Sequence, residues 1–125
     1  MVNTNVRGTA YHEAAQAVVA CALGLEVRRI YICDDDESGG TEISTDQTHL
    51  PIEDRIAVCV AGIAAKPLFD FTMSSHAERA DVALMAALLI NVDKTLHAHL
   101  KEAGHRRAER LLNANDQRCT NWLNI

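Results

Sequence analysis

Residues 11–19 read Tyr-His-Glu-Ala-Ala-Gln-Ala-Val-Val, and this stretch says most about the fold and chemistry of the chain. It begins like His-Glu-x-x-His, a helical signature in which histidines four residues apart hold zinc and the glutamate acts as a base. Gln16 stands where the second histidine would be. Because an amide oxygen is a poorer ligand for zinc than an imidazole nitrogen, the stretch predicts weak or absent zinc binding.

The same stretch lies inside the first predicted helix. Thr4 or Asn5 can cap its beginning, and Gly24 suits the position just after its end. By itself a His-Glu pair in an alanine-rich helix is typical of a solvated helix face, so its surroundings matter. The predicted apolar face of the helix consists of Ala10, Ala14, Ala17, Val18 and Cys21.

Two short runs rich in β-branched residues follow, at 27–33 and 41–45, and an Asp/Gly turn separates them. This pattern predicts a β-hairpin. The acidic run 34–37 lacks the glycine and terminal glutamate of a calcium-binding loop, so it favours an exposed acidic loop.

The rest of the chain predicts helices. Pro51 suits the first position of a second, almost wholly apolar helix that should be central and should end at Pro67. A third helix carries Asp81, and one or two more span about 93–122 with a break at Gly104. The expected fold is therefore a single domain over 1–125, mainly α with a small β-hairpin (α+β).

The overall charge argues against nucleic acid and membranes as partners. The net charge is −5, and acidic and basic residues are mixed along the chain. The one cationic cluster accompanies Glu109 on a predicted helix, which favours a solvated face. The cluster contains His105, Arg106, Arg107 and Arg110. No apolar run approaches the roughly 20 residues of a membrane span.

The cysteine pattern points to a reducing, cytoplasmic location. Residues 1–5 have neither the charged nor the apolar region of a signal peptide, and the cysteines have no C-x-x-C spacing. Three of the four cysteines fall in apolar runs, and all four are interpreted as buried thiols. They are Cys21, Cys33, Cys59 and Cys119.

Four blocks in the same order resemble the peptidase domain of the FtsH family of ATP-dependent zinc metalloproteases. Residues 11–19 look like its HEAGHAVV helix, and residues 27–41 are similar to its strand pair ending in glycine. Residues 56–65 resemble its IAVxLGGRAAE helix, and residues 75–84 its SxGAxNDLxxA segment. The likeness covers roughly residues 10–90, and it implies an FtsH-peptidase-like helical domain.

The resemblance also implies a site. It makes Asp81 the third metal ligand beside His12 and the Gln16 position, with Glu13 as the catalytic base, so these four side chains should converge. The chain departs from the family at Gln16 and three further positions. Ala15 replaces a glycine, Ala80 an asparagine and Lys66 a glutamate. The sequence has no phosphate-binding G-x-x-x-x-G-K-[ST] loop, so any peptidase activity would be independent of ATP.

Two functions follow from these observations. The favoured one is a metallopeptidase-like domain with weakened or lost zinc binding, which binds a peptide or protein along the hairpin edge. The alternative is an active zinc endopeptidase that uses His12, Asp81 and a substitute third ligand, for which His76 is a candidate. An apolar helical face left open in so short a domain also suggests a homo-oligomer.

Overall fold

The computed structural model describes residues 4–35, 38–43, 46–69 and 75–115. In chain order the elements are α1 Thr4–Ala22, β1 Val27–Ile32, β2 Gly39–Ile43, α2 Ile52–Phe69, α3 Ser75–Leu89, a 3-10 turn Lys94–Leu96 and α4 His97–Ala114. The predicted class, mainly α with a small β-hairpin, is confirmed. No helix in this part of the chain is both long enough and apolar enough to cross a membrane.

The end of α1 follows the sequence expectation. Gly24 has a φ of +82°, which glycine adopts without steric cost. Its N–H donates to the Cys21 carbonyl at 3.0 Å, and the Leu25 N–H donates to the Ala20 carbonyl at 2.9 Å. This pair of bonds is a Schellman motif, which satisfies carbonyls at the end of the helix and turns the chain toward β1.

Helix α1 is buried over more of its surface than the predicted apolar face. Ala15, Val19 and Ala20 are fully buried, whereas Ala10 and Cys21 of the predicted face are only half-buried. The reason is that α2 and both strands pack against α1. A helix covered from two directions needs small residues all round, and alanine supplies them.

The hairpin is antiparallel, with Val27 opposite Ile43 and Ile32 opposite Gly39. Its second strand begins at Gly39, two residues before the predicted run, and residues 44 and 45 of that run lie outside the described chain. Asp34 and Asp35 of the acidic loop are exposed, as expected. Asp36 and Glu37 also lie outside the described residues.

Helix α2 is the central helix, as predicted: α1, α3 and α4 all pack on it. Its start is capped by the Pro51 carbonyl, which accepts from the Asp54 and Arg55 N–H groups at 3.0 and 3.1 Å. The predicted end at Pro67 is wrong, since α2 continues to Phe69. Pro67 lies in the last turn of α2, where its missing N–H removes one helix hydrogen bond. Its ring is exposed, so it does not disturb the core.

The predicted break at Gly104 is also wrong. Helix α4 is continuous from His97 to Ala114, and Gly104 is buried where α4 crosses α2. A Cβ placed on Gly104 would lie 2.4 Å from Ile56 Cγ2, so the glycine allows the two helices to approach. Residues 116–122 of the predicted helical region lie outside the described chain.

The prediction that the cationic cluster of α4 is a solvated helix face is right for the exposed Arg106 and Arg110, whereas His105 and Arg107 are half-buried and Arg107 ties α4 to α2. His105 lies 3.2 Å from Glu109, Arg106 pairs with Glu102, and Arg107 lies 3.1 Å from Asp54. The prediction of buried thiols is only partly right. Cys33 is exposed at the end of β1, Cys21 and Cys59 are half-buried, and Cys119 lies outside the described residues.

Candidate functional site

A cleft of about 290 Å³ opens between α1, β2 and α3. Three elements that are distant in sequence supply most of its polar side chains, beside Thr9 and Ser38. These are His12, Glu13 and Gln16 from α1, Thr41 from β2 and Asp81 from α3. The predicted convergence of His12, Glu13, Gln16 and Asp81 is therefore present, while their role as ligands and base stays a prediction.

His12 and Asp81 form the centre of the cleft. The imidazole Nε2 lies 3.0 Å from Asp81 Oδ2, and the two residues are 3% and 4% exposed. The Asp81 Oδ2 atom nevertheless has no hydrogen-bond partner, so the ring N–H direction is not aligned with that oxygen. The contact is therefore a close approach of two buried side chains and not a linear hydrogen bond.

Gly62 of α2 determines how the His12 ring is held. A Cβ placed on Gly62 would lie 2.1 Å from His12 Nδ1 and 2.4 Å from Cε1. The ring therefore packs flat on the backbone of α2, and its Nε2 edge faces Asp81. The sequence analysis missed this role, although a glycine inside an apolar helix costs about 1 kcal/mol relative to alanine and so signals a packing reason.

Glu13 is held by Thr41, a second residue that the sequence analysis missed. The Thr41 hydroxyl lies 2.8 Å from the Glu13 backbone carbonyl and 2.8 Å from Glu13 Oε2. The other carboxylate oxygen, Oε1, lies 3.8 Å from His12 Nε2. Glu13 thus joins the hairpin to α1 and stands beside His12. A threonine in a short strand carries no sequence signal for this contact.

Gln16 occupies the position of the missing histidine. Its Nε2 donates to Asp81 Oδ1 at 3.5 Å, across 65 positions of sequence. The bond is long, and it is the only direct tie shown between Gln16 and the other polar residues of the cleft among the described side chains. Asp81 therefore faces both His12 and Gln16.

The buried carboxylates change the protonation of the cleft. Burial alone would lower the pKa of His12, but its contact with Asp81 and the negative charges of Asp81 and Glu13 outweigh burial, so this pKa is raised. Burial also raises the pKa of Glu13, and the Thr41 hydroxyl and the charge of His12 oppose that shift. Both groups consequently keep their protons to higher pH than they would in the unfolded chain.

Among the described residues, the donors fall short of the three protein ligands and a water that a catalytic zinc ion normally takes. His12 and Asp81 supply two donors, and within the described residues no cluster of three or more His, Cys, Asp or Glu side chains is placed to hold a metal. Gln16 can add only an amide oxygen. The candidate substitute His76 belongs to the first turn of α3, but its side chain lies outside the described residues.

The family departures lie in different places around the cleft. Ala80 is exposed and lines the cleft directly, whereas Ala15 is fully buried in the core. Lys66 does not line the cleft and pairs with Glu78 at 3.1 Å. Only Gln16 and Ala80 therefore alter what a bound group would meet in the cleft.

An apolar groove of about 480 Å³ adjoins the cleft and shares Gln16, Thr41 and Leu84 with it. Ile43, Val58 and Leu88 are among its apolar lining residues. Cys59 also lines it, and burial followed by the charge of Asp81 raises the pKa of its thiol to about 11. At neutral pH this thiol is protonated and behaves as an apolar wall residue.

No model of a known protein family matches this chain, and no curated protein matches its sequence. The likeness to the FtsH peptidase domain thus rests on the four blocks of residues quoted above. The function has to be argued from the chemistry of the cleft.

Proposed function

We propose that this chain is a metallopeptidase-like domain of the FtsH type that binds a peptide or protein segment without hydrolysing it. One observation carries the proposal. Where the resemblance implies a zinc ion with three ligands, His12 contacts Asp81 directly and Gln16 fills the third position with an amide. Zinc binding is accordingly weakened or lost.

The charges of the cleft support a role without metal. Asp81 and Glu13 are both buried, and buried carboxylates need a nearby positive charge or a proton. A protonated His12 supplies that charge 3.0 Å from Asp81 and 3.8 Å from Glu13. The imidazolium thus compensates the carboxylates that a metal ion would otherwise compensate.

The state of Glu13 also argues against hydrolysis. A general base must be ionised at the working pH and must reach an activated water. The Thr41 hydroxyl engages one carboxylate oxygen of Glu13, and the described residues supply no third strong metal donor that would activate a water beside it. Without a metal to lower the pKa of a water, Glu13 has no strong nucleophile to generate.

The shape of the cleft supports binding of an extended segment. Strand β2 pairs only with β1 in the described chain, so its other edge borders the cleft and can pair with an added strand. The apolar groove beside Ile43 can take a side chain of such a segment. Main-chain pairing would give affinity, and the groove would give selectivity.

One atom, Asp81 Oδ2, supports the alternative function of an active zinc endopeptidase. Asp81 Oδ2 is buried without a hydrogen-bond partner, and it lies 3.0 Å from His12 Nε2, a separation that two ligands of one ion can have. This function requires a third strong donor, which Gln16 does not provide.

Metal analysis distinguishes the two functions. We expect the untagged protein purified without added zinc to hold well under one zinc per chain, and the Gln16→His variant to approach one. Gln47→His is the matched control, because Gln47 lines the apolar groove and not the His12 cleft. Stoichiometric zinc with casein cleavage by the unmodified protein would establish the enzyme. Failure of Gln16→His to bind zinc would disprove the site.

Binding without cleavage can be measured with fluorescent unfolded casein as an extended polypeptide. We expect saturable binding by anisotropy and an unchanged casein band after incubation. Ile43→Lys should weaken binding about tenfold or more, because it places a charge in the apolar groove. Ile30→Lys, at a similarly half-buried isoleucine of β1, is the control. Equal loss in both variants, or no binding by the unmodified protein, would contradict the proposed role.

A further inference from the structure

Helix α3 presents an apolar outer face. The sequence has no charged residue between Asp81 and Asp93, although this segment is largely exposed. Val82 is 49% exposed, Leu84 57% and Ile90 78%. We define the α3 outer face as Val82, Ala83, Ala86 and Ile90, all exposed; Leu84 and Ala87 flank it and line the apolar groove beside Ile43.

The described chain leaves this face open. Helix α3 packs on α2 through its opposite side, where Asp81, Met85 and Leu89 are buried. Helix α4 packs on α2 and α1 instead. Contiguous apolar surface of this kind is uncommon on a soluble domain and marks a contact with another apolar surface.

We propose that a second copy of this chain covers the α3 outer face, with the two α3 helices antiparallel about a two-fold axis near Ala86. A two-fold contact uses one patch twice, so the patch must complement itself. Among the α3 positions whose side chains the structure describes, Arg79 is the only exposed charged residue. Asp93 is exposed four residues beyond the end of α3, where its Oδ1 accepts from the Thr95 N–H and hydroxyl at 2.9 and 2.8 Å. In an antiparallel pair Arg79 faces the partner's Asp93, and the opposed helix dipoles attract.

Side-chain size and net charge favour the same arrangement. Alanines occupy the middle of the face and allow close approach of the two helix axes, while Val82 and Ile90 stand at its ends. Val82 of one copy then meets the partner's Ile90. Each copy carries a net charge of −5, so an uncharged face is where two copies meet with least repulsion.

The size of the face sets the expected affinity. Standard interfaces bury about 800 Å² on each partner, and a pair of short helices buries less than that. We therefore expect a weak dimer with a dissociation constant of roughly micromolar, which is visible only over a concentration series.

Sedimentation equilibrium of the full chain from about 1 to 200 μM tests the proposal. We expect a monomer–dimer equilibrium for the unmodified protein and an increase of about tenfold or more in the dissociation constant for Ala86→Glu, which buries two like charges at the axis. Ala114→Glu is the matched control, since Ala114 is an exposed helical alanine at the end of α4. It should dimerise like the unmodified protein.

Circular dichroism identifies any variant that fails to fold, and Val82→Lys then replaces Ala86→Glu in the same measurement. A monomer at every concentration would overturn the proposal and assign the face to another occupant, either a different protein or residues 116–125 of this chain. A dimer that survives both Ala86→Glu and Val82→Lys would also overturn it, because the copies would then meet elsewhere.

Discussion

At the scale of single residues, the cleft depends on one buried ring and its three neighbours. His12 has Asp81 at its Nε2 edge, Glu13 beside it and the Gly62 backbone against its ring face near Nδ1. A buried charge is tolerated only where opposite charge is close, and here two carboxylates supply it. The protonation of His12 and the stability of the fold are therefore linked.

This linkage predicts a pH dependence of stability in chelator-treated protein. His12 and Glu13 both have raised folded pKa values, so both bind protons more tightly in the folded chain. The stabilisation from His12 is fully present below its unfolded pKa of 6.5 and is lost as the pH rises through its folded value. The contribution of Glu13 is lost in the same direction, beginning above 4.5.

We accordingly expect the free energy of unfolding, measured by urea denaturation, to fall as the pH is raised from 6 to 9. The His12→Gln variant should show a smaller fall over the same range, since it lacks the titrating ring. A variant with the same slope as the unmodified protein would mean that other groups cause the pH dependence.

Gly62→Ala should destabilise the fold by about 1–3 kcal/mol, because the added methyl overpacks the contact with the His12 ring. Urea denaturation measures the loss. In a His12→Ala background the same change should be neutral or stabilising by up to about 1 kcal/mol, because alanine is the better helix former. An equal loss in both backgrounds would show that the methyl meets something other than the ring.

At the scale of elements, α2 organises the molecule by letting its neighbours come close at different points. Gly62 of α2 contacts the His12 ring of α1, and Ile56 of α2 contacts Gly104 of α4. On the third side, Lys66 pairs with Glu78 of α3. Each helix is therefore placed by a specific contact on α2, and the cleft lies where α1 and α3 meet beside the hairpin.

Gly104→Ala should lower the free energy of unfolding by about 1–3 kcal/mol, because its Cβ would lie 2.4 Å from Ile56 Cγ2 and would push α4 away from α2. The exposed Asn113→Ala on the same helix is the control, and it should raise stability by a few tenths of a kcal/mol through helix propensity alone. Similar small gains in both variants would show that α4 can shift without loss.

At the scale of the whole molecule, the described chain has one core and one uncovered face. The core lies between α1, α2 and α4 and is closed by the hairpin, with Val18, Ile56 and Leu112 fully buried. The α3 outer face contributes nothing to this core. Self-association would bury it at no cost to the fold.

A dimer through that face makes thermal stability depend on protein concentration, since association stabilises only the folded state. We expect the Tm of the unmodified protein to rise by a few degrees when its concentration is raised about a hundredfold, and the Tm of Ala86→Glu to stay constant. Differential scanning calorimetry at several concentrations measures both. A constant Tm for the unmodified protein would argue against the dimer.

The sequence by itself determined the type and order of the elements, and left open whether one or two helices follow α3. Apolar periodicity, the β-rich runs and Gly24 are local signals, because the backbone conformation that they favour depends on residues close in sequence. The sequence also placed His12, Glu13 and Gln16 on one helical stretch. The predicted end of α2 at Pro67 and the predicted break at Gly104 were wrong, because helix-breaking residues were interpreted without knowing what packs beside them. Strand β2 also begins two residues before the predicted run.

Only the tertiary structure decided which atoms meet. Thr41 engages Glu13, Gly62 seats the His12 ring, and Asp81 faces Gln16 across 65 positions. No residue type or spacing encodes these contacts, because they arise from the packing of α1 and α3 on α2 and of the hairpin on α1. The same packing leaves the α3 outer face exposed. An apolar stretch of sequence does not reveal which of its sides the core will bury.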